Sequence, residues 1–227
     1  VHPLALIVAA TCIAAAMASL GALPLQSGRP TPTRFLGWAT ALASGIMLGV
    51  AYALMTVALD RGAMQSGFGA LAGIASVAAL RAVVDPANAF RLGAIHAIPE
   101  GVAIGVATAV GVPFGLMMAT SFAVHNIPEG TYTIAGLLER GRRLSAAALL
   151  AVAANLNQVI FAVLAFLAVQ AAPALLPWTL GFAVGALLHL VMAELLPESY
   201  RDAGRTSIAL VTIVAVAILV LLHDGAS

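Results

Sequence analysis

Apolar positions fill the chain in long, nearly unbroken runs, and polar residues gather in short clusters between them. A bilayer-crossing α-helix needs about 20 predominantly apolar residues. Eight runs meet that length, at roughly 3–24, 35–59, 65–84, 88–110, 114–138, 145–170, 175–197 and 206–223. They predict an all-α integral membrane protein, one bundle of eight transmembrane helices with residues 1–227 as a single domain. The first run contains Ala18-Ser-Leu-Gly-Ala22, a faint signal-peptidase pattern. No positive residue precedes it and the run exceeds a typical signal core, so it is read as a helix. The connection Gln26–Arg34 is rich in turn residues and the others are shorter, so no extramembrane domain is expected.

The polar clusters orient this bundle. Arg29 and Arg34 follow the first run, Arg81 and Arg91 flank the exit of the third, Arg140, Arg142 and Arg143 follow the fifth, and Arg201 and Arg205 follow the seventh. Arg61 alone falls at an even-numbered exit. Excess positive charge marks the cytoplasmic side, which leaves both termini extracytoplasmic.

Composition agrees with a membrane protein. The chain has 227 residues, 62% hydrophobic and 8% charged, with mean hydropathy +1.06; a soluble domain carries about 25% charged residues. The net charge of +1 gives no sign of a nucleic-acid partner. The single Cys12 excludes an internal disulfide and reads as packing. The absence of lysine and the abundance of Ala and Gly suggest a prokaryotic source and hence a multi-pass protein of the plasma (inner) membrane. Small residues at spacings of four, within Ala43-Ser44-Gly45 and Gly49 and at Gly181 and Gly185, would let helices approach closely in the lipid bilayer.

Ionisable groups inside such runs are costly and mark functional sites. Two stretches carry them in duplicate: His96-Ala-Ile-Pro99-Glu100-Gly101 and His125-Asn-Ile-Pro128-Glu129-Gly130. Each sets His and Glu four residues apart, on one helical face and about 6 Å apart along the axis. Gly111-Val112-Pro113 lies between them as a reversal signal. Glu100 is 12 residues before Val112 and His125 is 13 after; His96 is 16 before and Glu129 is 17 after. In an antiparallel hairpin each histidine is therefore level with the other helix's glutamate. Two imidazoles and two carboxylates at mid-membrane form a divalent-cation site, the carboxylates offsetting the +2 charge.

Pro99 and Pro128 should kink their helices and free the carbonyls of Ile95 and Val124. Gly101 and Gly130 should loosen them further. Secondary transporters place ion sites at such breaks. Asn155 and Gln158 share a face while Asn157 points elsewhere, so these amides either line a metal path or bridge helices. His189 and Glu194 are candidates for a secondary site or the pathway, as are Asn126 and Gln158. His2 and His223 are expected at the interfaces.

These residues resemble the ZIP (Zrt/Irt-like) family of metal-ion transporters in its compact prokaryotic form. The two His-x-x-Pro-Glu-Gly stretches carry the resemblance, and Ala193-Glu194-Leu-Leu-Pro197-Glu198 is similar to a third family motif. It implies a non-enzyme that moves Zn²⁺, or Fe²⁺, Mn²⁺ or Cd²⁺, into the cytoplasm by alternating access, with no organic cofactor. His96, Glu100, His125 and Glu129 match the transport site. It also implies that the first, fourth, fifth and sixth helices move against a scaffold of the others, which often forms a homodimer. Many relatives hold a second metal where this chain has Ala97, Asn126 and Gln158, so one core ion is expected here. The short Asp85–Phe90 connection replaces a long His-rich loop. Two other readings use the same ligands. An intramembrane zinc-dependent hydrolase lacks its His-Glu-x-x-His signature here, and a non-transporting metal sensor would bind without moving its ion.

Overall fold

In hydrocarbon a helix satisfies its own backbone, and every regular element among the described residues is helical. The structure is a computed structural model describing residues 2–27, 31–84 and 89–224. Arg29 and the 85–88 part of the short connection lie outside the described residues. Helix α1 (Pro3–Met17) starts at His2, whose Nδ1 accepts from the Leu4 amide at 3.3 Å, and tightens into a 3-10 extension, Ala18–Leu25. There follow α2 (Thr33–Val83), α3 (Ala89–Val110), α4 (Val112–Glu139), α5 (Leu144–Asn155) and α6 (Asn157–Ala171). Next come α7 (Leu176–Leu190), a π-helical turn (Val191–Leu195), α8 (Leu196–Ala203) and α9 (Arg205–Asp224).

Six helices among the described residues are long and apolar enough to cross a membrane. Two features separate this number from the eight runs read in the sequence. The second and third runs form one element, α2, interrupted only at Gly62, whose φ of 153° and ψ of 95° are not helical. The Ser66 hydroxyl donates to the Ala58 carbonyl at 2.8 Å across this point. Residues eight apart in a straight helix are about 12 Å apart, so α2 folds back sharply at Gly62. Helix α4, 28 residues long, is not among the six, because His125, Asn126, Glu129 and its threonines dilute its hydropathy.

The helices pack as two groups. The arms of α2 pack on α7, α8 and α9, and α3 and α4 pack on each other, on α1 and on the α5–α6 pair. The groups meet where α2 touches α4 and α3 touches α7. Close approach explains much of the small-residue pattern. A Cβ on Gly181 or Gly185 would strike the backbone of Ser66 or Ala70, and one on Gly69 or Gly73 would strike Trp178 or Phe182. Gly45 and Gly49 instead receive Thr212, Ala215 and Leu219 of α9.

Candidate metal centre

Only Gly111 separates α3 from α4, so the two helices form a tight hairpin in contact along their lengths. That geometry places His125 against Glu100: His125 Nε2 lies 3.2 Å from Glu100 Oε1 and 3.2 Å from Glu129 Oε2. The ligand atoms of Glu100, His125 and Glu129 all lie within 4.8 Å of one another. Glu100 and His125 are 0% exposed and Glu129 is 8% exposed.

Each of these side chains is oriented by its surroundings. His125 Nδ1 is 3.0 Å from the Ala43 carbonyl oxygen of α2. A carbonyl only accepts, so Nδ1 carries a proton. Nε2 faces two carboxylates, where it holds either a second proton shared with them or, in the neutral ring, a lone pair for a metal ion. Phe122 meets the imidazole edge-on at a centroid distance of 6.1 Å, which restricts its rotation. Glu100 Oε1, His125 Nε2 and Glu129 Oε2 are buried and have no hydrogen-bond partner among the described residues. Such a cluster is unfavourable unless a proton or a metal cation joins it. Ligands 2.0–2.1 Å from a tetrahedral Zn²⁺ are spaced about 3.3–3.4 Å apart, close to the 3.2 Å observed on both sides of His125.

Around this group lies a layer of amides. Gln158 Nε2, fully buried, donates to Glu100 Oε2, and lies 3.1 Å from Asn155 Oδ1 and 3.3 Å from Asn126 Oδ1. Asn126 Nδ2 donates to the Ala14 carbonyl at 2.8 Å, which ties α1 to the centre. Asn157 points away, as its position predicts, and donates to Ala94 O at 3.1 Å. The α5–α6 helix breaks at Leu156, between these amides, without a proline.

Pro99 and Pro128 both lie inside helices that continue past them, and the glycines of the repeat have a packing role besides the loosening expected of them. Gly101 receives the backbone of Gln158, and Gly130 receives the backbone of Ala18. The glycine after each glutamate thus serves close packing, which brings a neighbouring helix against each ligand.

His96 is not in the three-residue group. Its Nε2 lies 3.4 Å from Glu194 Oε2, within the π-helical turn, and the same oxygen contacts the Arg81 guanidinium. His96 and Glu129 share the wall of a cavity of about 440 Å³, also lined by Arg81, Tyr132, Glu194, Glu198 and Asp202. Glu194, read as a candidate for a secondary site or the pathway, lines this cavity, whereas His189 is half-buried and lines neither the group nor the cavity. Arg81 was not legible as a site residue, because an arginine ending an apolar run also fits an interfacial flank.

No family model matches the chain. It is 40% identical over 108 residues to the zinc transporter GufA of Myxococcus xanthus, covering 47% of this chain and 42% of that protein. It is 30% identical over 114 residues to the zinc transporter ZIPB of Bordetella bronchiseptica, covering 50% of this chain and 37% of that protein. A protein of Arabidopsis thaliana provisionally named a zinc transporter is 36% identical over 125 residues, 54% of this chain and 20% of its own. The chain thus spans less than half the length of the curated relatives it matches. Over about half of its own length, the chain is similar to proteins named as zinc transporters.

Proposed function

We propose that this protein carries divalent transition-metal ions, zinc first among them, across a membrane through the Glu100–His125–Glu129 group. The observation that carries this reading is the convergence of three buried ligand atoms within 4.8 Å of one another, with His125 Nε2 3.2 Å from each carboxylate. The relatives' names support transport of zinc and give no support to a hydrolase or a sensor. His96 supplies the fourth ligand: as the ion enters, the imidazole turns from Glu194 toward Glu129, with which it already shares a cavity wall. The ion is substrate, and Fe²⁺, Mn²⁺ and Cd²⁺ suit the same donor set.

The reading extends to the membrane arrangement. The fold-back at Gly62 and the polar helix α4 together allow eight crossings, with both termini on the extracytoplasmic side and the arginine-rich ends in the cytoplasm. The cavity wall reaches Thr33, Glu139, Arg140 and Asp202, at the ends of α2, α4 and α8. Those ends lie on the arginine-rich side, so the cavity is the inward-facing exit of an alternating-access cycle. The α1, α3, α4 and α5–α6 group would move against the α2, α7, α8 and α9 group, breaking the His125–Ala43 contact. The multi-pass chain would sit in a prokaryotic inner membrane as one transporter domain, with the second group free to form a homodimer.

Purified protein in liposomes should take up zinc when the metal is supplied outside, and the Glu100→Gln variant should not. Zinc binding without zinc movement in the unmodified protein would overturn transport and favour a sensor.

A further inference from the structure

Arg81 is a permanent cation in the wall of the proposed exit cavity. It stands near the end of α2, contacts Glu194 Oε2 and has its Nη1 buried with no hydrogen-bond acceptor among the described residues. The same Glu194 oxygen is 3.4 Å from His96 Nε2. Glu194, Glu198 and Asp202 are spaced by four and all line the cavity, so they form a stripe of carboxylates from the buried centre toward its mouth. A His–Glu pair at the inner end of such a stripe would hold a departing divalent ion rather than release it. Guanidinium cannot lose its charge at any working pH, so Arg81 offsets Glu194 at all times and repels a second cation from it.

We infer that Arg81 is a tethered counter-cation that occupies Glu194 and keeps the exit cavity from retaining the metal ion the centre releases. The inference rests on the proposed metal centre, and it makes Arg81 a release-determining residue rather than a ligand. It also accounts for an arginine that lines the cavity and contacts Glu194 instead of facing a headgroup surface. Lysine at this position would keep the charge. Glutamine or methionine would remove it while keeping much of the side chain's volume.

The test is Cd²⁺ binding to purified full-length protein by equilibrium dialysis, with monodispersity checked by gel filtration. The unmodified protein and Arg81→Lys should each bind one ion per chain. Arg81→Gln and Arg81→Met should bind a second ion, with affinity at the cavity raised roughly tenfold or more by loss of the repelling charge. That second ion should vanish in Arg81→Gln/Glu194→Gln, while the first ion persists. One ion in both charge-removing variants would overturn the inference, as would a second ion that survives the Glu194 change. Failure of the proposed centre itself would look different: Glu129→Gln in the unmodified background would leave the first ion in place.

Discussion

The two His-x-x-Pro-Glu-Gly stretches share a pattern yet meet different surroundings. In the copy on α4, His125 is fully buried, fixed through Nδ1 by Ala43 and aimed by Nε2 at both glutamates. In the copy on α3, Glu100 joins the same centre, but His96 stands at the cavity wall against Glu194. An antiparallel hairpin makes the copies equivalent only along its own axis. The third neighbour decides the rest: α2 closes over His125, whereas the cavity opens beside His96. In the proposed function one histidine would be a preset ligand and the other a ligand that exchanges partners.

The largest expected consequence is an unequal response to removing each histidine. His125→Ala and Glu100→Gln should lower zinc affinity by about 100-fold or more, since each removes a prepositioned ligand and leaves the others repelling. His96→Ala should cost closer to tenfold, within the range for groups that orient or complete a site. Isothermal titration of the variants checks this; equal losses would abolish the distinction between the copies.

Acidification should sharpen the same contrast. Histidine must be neutral to ligate, so affinity falls as pH drops. Each ligating imidazole is a site where a proton competes with the metal, so between about pH 7.5 and 5.5 the unmodified protein should lose more affinity than His96→Ala does. A His96→Ala profile as steep as the unmodified one would mean that only His125 ligates.

The glycines, by contrast, should behave alike. Gly101→Ala and Gly130→Ala each push a Cβ into another helix's backbone, Gln158 or Ala18, which should cost about 1–3 kcal/mol. Thermal unfolding in detergent should show comparable losses for both. If neither moves the transition, the glycines serve helix flexibility rather than packing. The smallest effect belongs to Asn157→Ala, which removes one part-buried hydrogen bond to Ala94. It should cost about 1 kcal/mol and leave zinc affinity unchanged, whereas a loss of zinc binding would place Asn157 on the metal path.

Much of this arrangement was legible in the chain itself. Level-matching about Val112 brings Glu100 opposite His125 because a one-residue turn leaves an antiparallel hairpin little freedom of register. The apolar runs mark helices for the equally direct reason that lipid tolerates little else. The break at Gly62 falls in the gap between the runs at 35–59 and 65–84 and so was legible, whereas Leu156 was not, because it breaks a helix without proline. Nor could spacing reveal that Gly101 and Gly130 face other helices, or that Arg81 turns inward, since both depend on partners distant in sequence. The departure of His96 from the other three ligands has the same origin, because Glu194 comes from a separate element.

X-ray absorption at the zinc edge on the loaded protein tests the centre most directly. Two imidazoles and two carboxylate oxygens should surround the ion, and His96→Ala should remove one imidazole while the ion stays bound. A single imidazole in the unmodified protein, unaltered by His96→Ala, would contradict the account.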